Sequence, residues 1–176
     1  ELFAHNYAEL FGVPITALRF FTVYGPWGRP DMSPMIFARK ILAGEPLDVF
    51  NFGKHRRDFT YIDDIVEGVV RVLVKPPVAN PAWDAVTASP SSSRSPFRIC
   101  NIGHSEPVEL LYFIELLERV LGREAQKTLL PMQPGDVENT YADMSHLEAL
   151  VGYRPQVSIE EGVERFVSWY RARYTH

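Results

Sequence analysis

The run from Ile15 to Val23 constrains this chain more than any other stretch. It is mostly β-branched and aromatic, a composition that suits a strand covered on both faces of a sheet. It ends abruptly at Gly25-Pro26, where glycine tolerates positive φ and proline donates no hydrogen bond. A loop at the carboxyl end of such a strand is where open α/β sheets hold ligands. This loop offers the hydroxyl of Thr22, the phenol of Tyr24, the indole of Trp27, the guanidinium of Arg29 and the carboxylate of Asp31. A strand and turn with ordinary surface polar groups would use the same residue types, so the residues alone leave both readings open.

The pattern around this strand alternates between helix and strand. Glu1 to Phe11 reads as a helix stopped by Gly12, with Leu2, Phe3, Leu10 and Phe11 apolar. Met35 to Ala43 is a second helix, closed by Gly44, and Leu47 to Gly53 alternates as a short strand should. A third helix opens at Asp63 or Asp64, where a carboxylate complements the helix dipole, and runs to Val74. Its apolar face carries Ile62, Ile65, Val66, Val69 and Leu73. Phe97 to Gly103 is the next strand, and Val108 to Leu121 an amphipathic helix closed by Gly122. Ser145-His146-Leu147-Glu148 and Ser158-Ile159-Glu160-Glu161 have the form of capping boxes that open two further helices. Such alternation predicts an α/β fold with a largely parallel sheet and a C-terminal lobe over the strand ends.

Lys75 to Pro96 breaks the pattern, with five prolines and five serines in 22 residues. It reads as a mobile surface insertion with little to build a site from, Trp83 excepted. The expected organisation is therefore one domain in three parts: residues 1–74, the insertion 75–96, and residues 97–176. Glu1 falls inside a helical pattern without a cap, so the chain reads as a piece whose N-terminal part is absent. A net charge of −4 argues against a surface that coats nucleic acid. The single cysteine, Cys100, excludes an intramolecular disulfide and suits the cytoplasm. No apolar run approaches the roughly 18–20 residues of a membrane span.

Two further clusters bear on chemistry. In Lys54-His55-Arg56-Arg57-Asp58, guanidinium forks match phosphate oxygens, although an exposed basic turn paired with Asp58 fits equally. Gln133-Pro134-Gly135-Asp136-Val137 is a turn whose acid is either a ligand contact or an ordinary turn residue. No glycine-rich dinucleotide loop and no Tyr-x-x-x-Lys occur anywhere in the chain.

The stretch Arg19-Phe20-Phe21-Thr22-Val23-Tyr24-Gly25-Pro26-Trp27-Gly28-Arg29-Pro30-Asp31-Met32 resembles the extended short-chain dehydrogenase/reductase superfamily, the NAD-dependent epimerases and dehydratases. The UDP-glucuronate 4-epimerase branch is the most similar. The resemblance spans nearly the whole chain apart from the insertion, and only the C-terminal half of the family's fold. It implies a Rossmann-like doubly wound fold with a small substrate-binding lobe. It also implies NAD as cofactor, a UDP-sugar as substrate, and room for a homodimer. Residue by residue, it implies contact with the diphosphate for Arg57 and with the ribose hydroxyls for Asp136. Val49, Phe50 and Asn51 would seat the uracil. Arg29, with Asp31 beside it, would serve the sugar carboxylate or diphosphate. Thr22 and Val23 would lie near the nicotinamide, with Thr22 as an accessory to catalysis. The family's proton-transferring Tyr and its Lys belong upstream of a helix like Glu1–Phe11. The resemblance further implies 4-epimerisation through a transient 4-keto sugar. UDP-glucuronate decarboxylation, UDP-galactose 4-epimerisation and a non-catalytic nucleotide-binding remnant are the competing readings. Gln133 departs from the arginine that many relatives carry, which leaves more of the phosphate contact to Arg57.

Overall fold

The computed structural model describes residues 1–174. In chain order its elements are α1 (Leu2–Phe11), β1 (Ile15–Phe20), β2 (Thr22–Tyr24), α2 (Ser33–Ala43), β3 (Leu47–Val49), β4 (Arg56–Arg57), β5 (Phe59–Tyr61) and α3 (Ile62–Leu73). They continue with β6 (Phe97–Ile102), β7 (Val108–Glu109), α4 (Leu110–Leu121), β8 (Lys127–Leu129), α5 (Ser145–Val151) and α6 (Ile159–Tyr174).

The strand expected from Ile15 to Val23 is divided at Phe21. β1 runs parallel to β6, with Ile15 opposite Phe97. Past Phe21 the Val23 N–H turns back to the Phe21 carbonyl at 3.0 Å, while the Thr22 N–H reaches the Asp58 carbonyl at 3.0 Å. β2 thereby changes partner and pairs in parallel with β5. β3 pairs in parallel with β8, and β4 with β7 in antiparallel fashion, so the described residues form four two-stranded sheets. The largely parallel α/β character holds, but the burial expected of Ile15–Val23 does not. β1 has a strand partner on one edge only among the described residues, and Phe20 remains 53% exposed.

Other boundaries shift for local reasons. The strand expected over Leu47–Gly53 stops at Val49, because Asn51 and Phe52 take left-handed conformations in a tight turn (φ 51° and 52°). Ser145 does not cap α5; it lies inside the helix, and the Asp143 carboxylate accepts its N–H at 2.9 Å. Ser158 does cap α6, accepting the Glu161 N–H at 3.2 Å. β8 was not apparent in the sequence, since Lys127 to Leu129 is exposed and carries no alternation. The insertion is held against β6: Ser92 bridges Arg98, and the Trp83 indole donates to Ser92 Oγ at 3.1 Å.

Two apolar clusters result. The larger packs α2, α4 and α6 around β2 and β5, with Phe59 stacked on Phe113 at 4.3 Å between ring centroids. Gly162 lets α6 approach the Tyr24 ring, since a Cβ there would collide with the phenol oxygen. Gly25 serves the neighbouring turn at φ 137°, where a Cβ would come within 2.5 Å of Ile62. The smaller cluster joins α3, β6 and α5 through Ile65, Cys100, Ile102, Leu147 and Tyr153. Burial pushes the Cys100 thiol up, away from the reactive thiolate.

Candidate functional site

Two buried aspartates, Asp58 and Asp64, tie distant loops to the segments around β5 and α3. Asp58, fully buried, accepts the backbone N–H groups of His104 (2.7 Å), Ser105 (3.0 Å) and Ala142 (2.9 Å). It is thus a structural anchor and does not pair with Arg57, as the sequence had allowed. Asp64 accepts the Tyr153 hydroxyl at 2.7 Å and the N–H groups of Gln156 and Val157 at 3.0 and 2.9 Å. Its position near the start of α3 thus serves a distant loop more than its own helix. Burial, followed by this contact, pushes the Tyr153 phenol well above its ordinary range.

With Asp58 turned inward, Arg57 turns outward. Its Nη2 donates to Asp136 Oδ1 at 2.9 Å and its Nη1 to the Glu138 carbonyl at 3.0 Å. The Val137 N–H donates to the same Asp136 oxygen at 2.8 Å. Arg57 and Asp136 line an open groove of about 580 Å³ together with residues of α2 and Asp48. Asp31 and Phe50 also line it, so four of the residues singled out in the sequence meet at one place. Arg39, Lys40 and Gln133 join them, giving the groove guanidinium and ammonium groups beside carboxylates. Such a set can grip a phosphorylated ligand through its anions and hydroxyl groups.

The remaining candidates lie elsewhere. Val49 is fully buried at the end of β3, and its carbonyl accepts the Leu130 N–H at 2.9 Å. Asn51 sits in the left-handed turn beyond it, and its carbonyl accepts the Lys54 N–H at 2.9 Å. Of these three, Phe50 is the one on the groove wall. Thr22 and Val23 lie on β2, outside the groove lining and half-buried. Arg29 is exposed and grips Asp31 through Nε at 3.1 Å and Nη2 at 2.5 Å. That contact holds the Asp31 carboxyl below the usual carboxylate range. Tyr24 is a core residue, its hydroxyl 3.5 Å from the Ile159 carbonyl, and Trp27 packs on Trp169 at 5.7 Å.

His55 is the groove residue that sequence reasoning missed. It is 3% exposed, with Nε2 3.3 Å from Asp136 Oδ2 and Nδ1 3.1 Å from the Val137 carbonyl. A signal was available. In an extended segment His55 and Arg57 share a face, and both reach Asp136.

Parallel strand pairs flanked by helices, with an arginine–aspartate groove beside them, are features of a Rossmann-like protein. Comparison with known proteins narrows this. The model of the NAD dependent epimerase/dehydratase family matches residues 1–83. A probable UDP-glucuronate 4-epimerase of Rhizobium meliloti is 51% identical over 175 residues, covering 99% of this chain and 51% of that protein. UDP-glucuronate 4-epimerase 5 of Arabidopsis thaliana is 41% identical over 181 residues, covering 99% of this chain and 40% of that protein. The solved structure of UDP-glucuronic acid 4-epimerase from Bacillus cereus, in complex with UDP-glucuronic acid and NAD, has a TM-score of 0.78. It is 34% identical and covers 97% of this chain and 49% of that one. The chain is similar to the NAD dependent epimerase/dehydratase family over residues 1–83, and its fold matches the C-terminal half of these Rossmann-like epimerases. It spans about half the length of the curated relatives it matches. Among the described residues no helix is long and apolar enough to cross a membrane.

Proposed function

We propose that the whole protein is an NAD-dependent enzyme that interconverts UDP-glucuronate and UDP-galacturonate at C4, and that this chain supplies its nucleotide-sugar half. The observation that carries the reading is the meeting of Arg57, Asp136 and Phe50 on one groove. The likeness to proteins named for UDP-glucuronate, one of them 51% identical, supports the choice of sugar. In this reading Arg57 holds the diphosphate, Asp136 the ribose hydroxyl groups, and the segment from Val49 to Asn51 the uracil.

Arg29 receives the C6 carboxylate that distinguishes UDP-glucuronate from UDP-glucose. An exposed ion pair contributes about 0–1 kcal/mol, so exchanging Asp31 for the substrate carboxylate costs Arg29 little. NAD, when bound, supplies reversible hydride acceptance at C4. Thr22 and Val23 fit it only as one wall, because β2 is half-buried and pairs on one edge. The chain holds no glycine-rich phosphate loop and no Tyr-x-x-x-Lys, so the 4-hydroxyl proton is taken by a group outside residues 1–176. The protein is read as cytoplasmic, with a UDP-sugar as its small-molecule partner.

The test uses the natural full-length protein with UDP-glucuronate and NAD. UDP-galacturonate should appear, and Arg29→Leu should lower turnover about 10- to 150-fold, the equivalent of losing one charge-assisted contact. Its affinity for plain UDP should hardly change. Binding of UDP-glucuronate without any C4 product would contradict the reaction, and equal losses for both ligands would remove Arg29 from the carboxylate.

A further inference from the structure

Trp27 stands where the backbone asks for glycine. Gly25-Pro26-Trp27-Gly28 is a tight turn, closed by the Gly28 N–H on the Gly25 carbonyl at 3.3 Å. Proline holds the second position at negative φ, and Trp27 takes the third at φ 61°. Those are the signs of a type II turn, whose third position is ordinarily glycine or asparagine. A bulky aromatic residue at positive φ is an uncommon and strained choice. Burial does not offset the strain, since Trp27 remains 76% exposed. What the side chain gains instead is a contact with α6. Its ring lies 5.7 Å from that of Trp169 at a tilt of 59°, and the Arg173 guanidinium stands 5.9 Å from its centroid. Trp169 in turn packs on Phe166 and Tyr170 of the larger apolar cluster, so the partner is anchored in the core.

The rest of the loop has few holds of its own. Among the described residues, the hydrogen bonds of Gly25 to Asp31 stay inside the loop or reach Met32, whose N–H donates to the Arg29 carbonyl at 3.1 Å. Pro26 and Pro30 have no N–H to give. Gly25 is close-packed against Ile62 and Gly28 lies beside Met35, which sets the base of the turn. Trp27 is the side chain that ties its tip to α6. Just beyond, Asp31 lines the groove and Arg29 is paired with it.

We propose that Trp27 is a positioning residue which, stacked on Trp169, keeps the Gly25–Asp31 loop in the conformation that presents Arg29 to the acidic sugar of the ligand. The inference rests on the reading above, in which Arg29 receives the sugar carboxylate. Without the ring the turn would keep its backbone shape and lose its attachment to α6. Arg57 and Asp136 stand on other parts of the chain, so the grip on the nucleotide would be untouched. Trp27 therefore serves the hexuronate end of the ligand and not its diphosphate.

The experiment is calorimetry of UDP-glucuronate and of UDP, together with thermal unfolding, on the natural full-length protein and its Trp27→Gly and Trp27→Phe variants. Glycine accepts the φ of this turn freely, so Trp27→Gly should leave the unfolding midpoint unchanged or raise it. It should weaken UDP-glucuronate about tenfold, as for a loop in its binding conformation about a tenth of the time, and leave UDP unchanged. Trp27→Phe keeps a ring for Trp169 and should stay within about twofold of the natural protein for both ligands. Undiminished UDP-glucuronate affinity in Trp27→Gly, equal losses for the two ligands, or as large a loss in Trp27→Phe would overturn the role. So would a lowered midpoint in Trp27→Gly, which would make Trp27 a residue of stability alone. Arg29→Leu separates this role from the reading beneath it. A selective loss of UDP-glucuronate there, with none in Trp27→Gly, overturns the positioning role alone. No selective loss in Arg29→Leu overturns both.

Discussion

Around Phe113 the apolar surface of this chain is closed, whereas along α1 and the outer side of α3 it is open. Phe113, Ile114, Leu117 and Phe166 are fully enclosed between α2, α4 and α6. Leu2, Phe3, Leu10 and Phe11 of α1 are 83%, 85%, 73% and 66% exposed, and Ala8 is the only buried residue of that helix. On α3, Ile65 and Val72 are buried while Val66, Val70 and Leu73 are exposed. Each of these helices carries apolar residues in sequence, and the stripe of α3 is stronger than that of α1. The stripe says that a helix has something to bury; only its neighbours decide whether it does. The groove lies beside the closed region and takes part of its lining from the buried Phe37, Leu47 and Leu110.

The largest expected effect breaks this comparison directly. Phe113→Ala removes a ring stacked on Phe59 and should cost about 3–5 kcal/mol of stability in urea unfolding. Phe11→Ala in the same chain should change it by less than about 0.5 kcal/mol. Similar losses for both would mean that α1 is covered by something within residues 1–174.

A somewhat smaller effect sharpens the contrast between the two kinds of aspartate. Asp58→Ala strips the acceptor from three buried or half-buried N–H groups, each worth about 1–3 kcal/mol when left unpaired, so a loss of roughly 3 kcal/mol is expected. Asp136→Ala, at a one-third exposed carboxylate, should cost about 1 kcal/mol or less of stability while weakening UDP binding. If Asp58→Ala leaves the unfolding midpoint in place, the anchor role is wrong.

Much of this was legible in the sequence. The α/β alternation, the glycine stops at Gly12, Gly44 and Gly122, and the Ser158 cap follow from local backbone chemistry, and the structure reproduces them. The division at Phe21 was not legible, because β1 and β2 take partners 82 and 37 residues downstream, Phe97–Ile102 and Phe59–Tyr61, and a change of partner leaves no mark on composition. Nor was the inward turn of Asp58. Arg57-Asp58 reads as an ion pair in one dimension, but adjacent residues on an extended chain face opposite ways. That alternation sends Asp58 to the backbone of residues 104, 105 and 142 and sends Arg57 to Asp136. The meeting of Asp31, Phe50, Arg57 and Asp136 came from a resemblance, and no spacing rule would have joined residues 105 positions apart.

The central claim is that Arg57 grips the diphosphate of a uridine nucleotide. Calorimetry of UDP binding to the natural full-length protein and to its Arg57→Ala variant tests it most directly. Arg57 contacts Asp136 Oδ1 and the Glu138 carbonyl at the groove, outside the two apolar clusters, so its removal should leave the fold standing. Loss of one charge-assisted phosphate contact, roughly 1.5–3 kcal/mol, should weaken UDP about 10- to 150-fold. An unchanged dissociation constant would contradict the account.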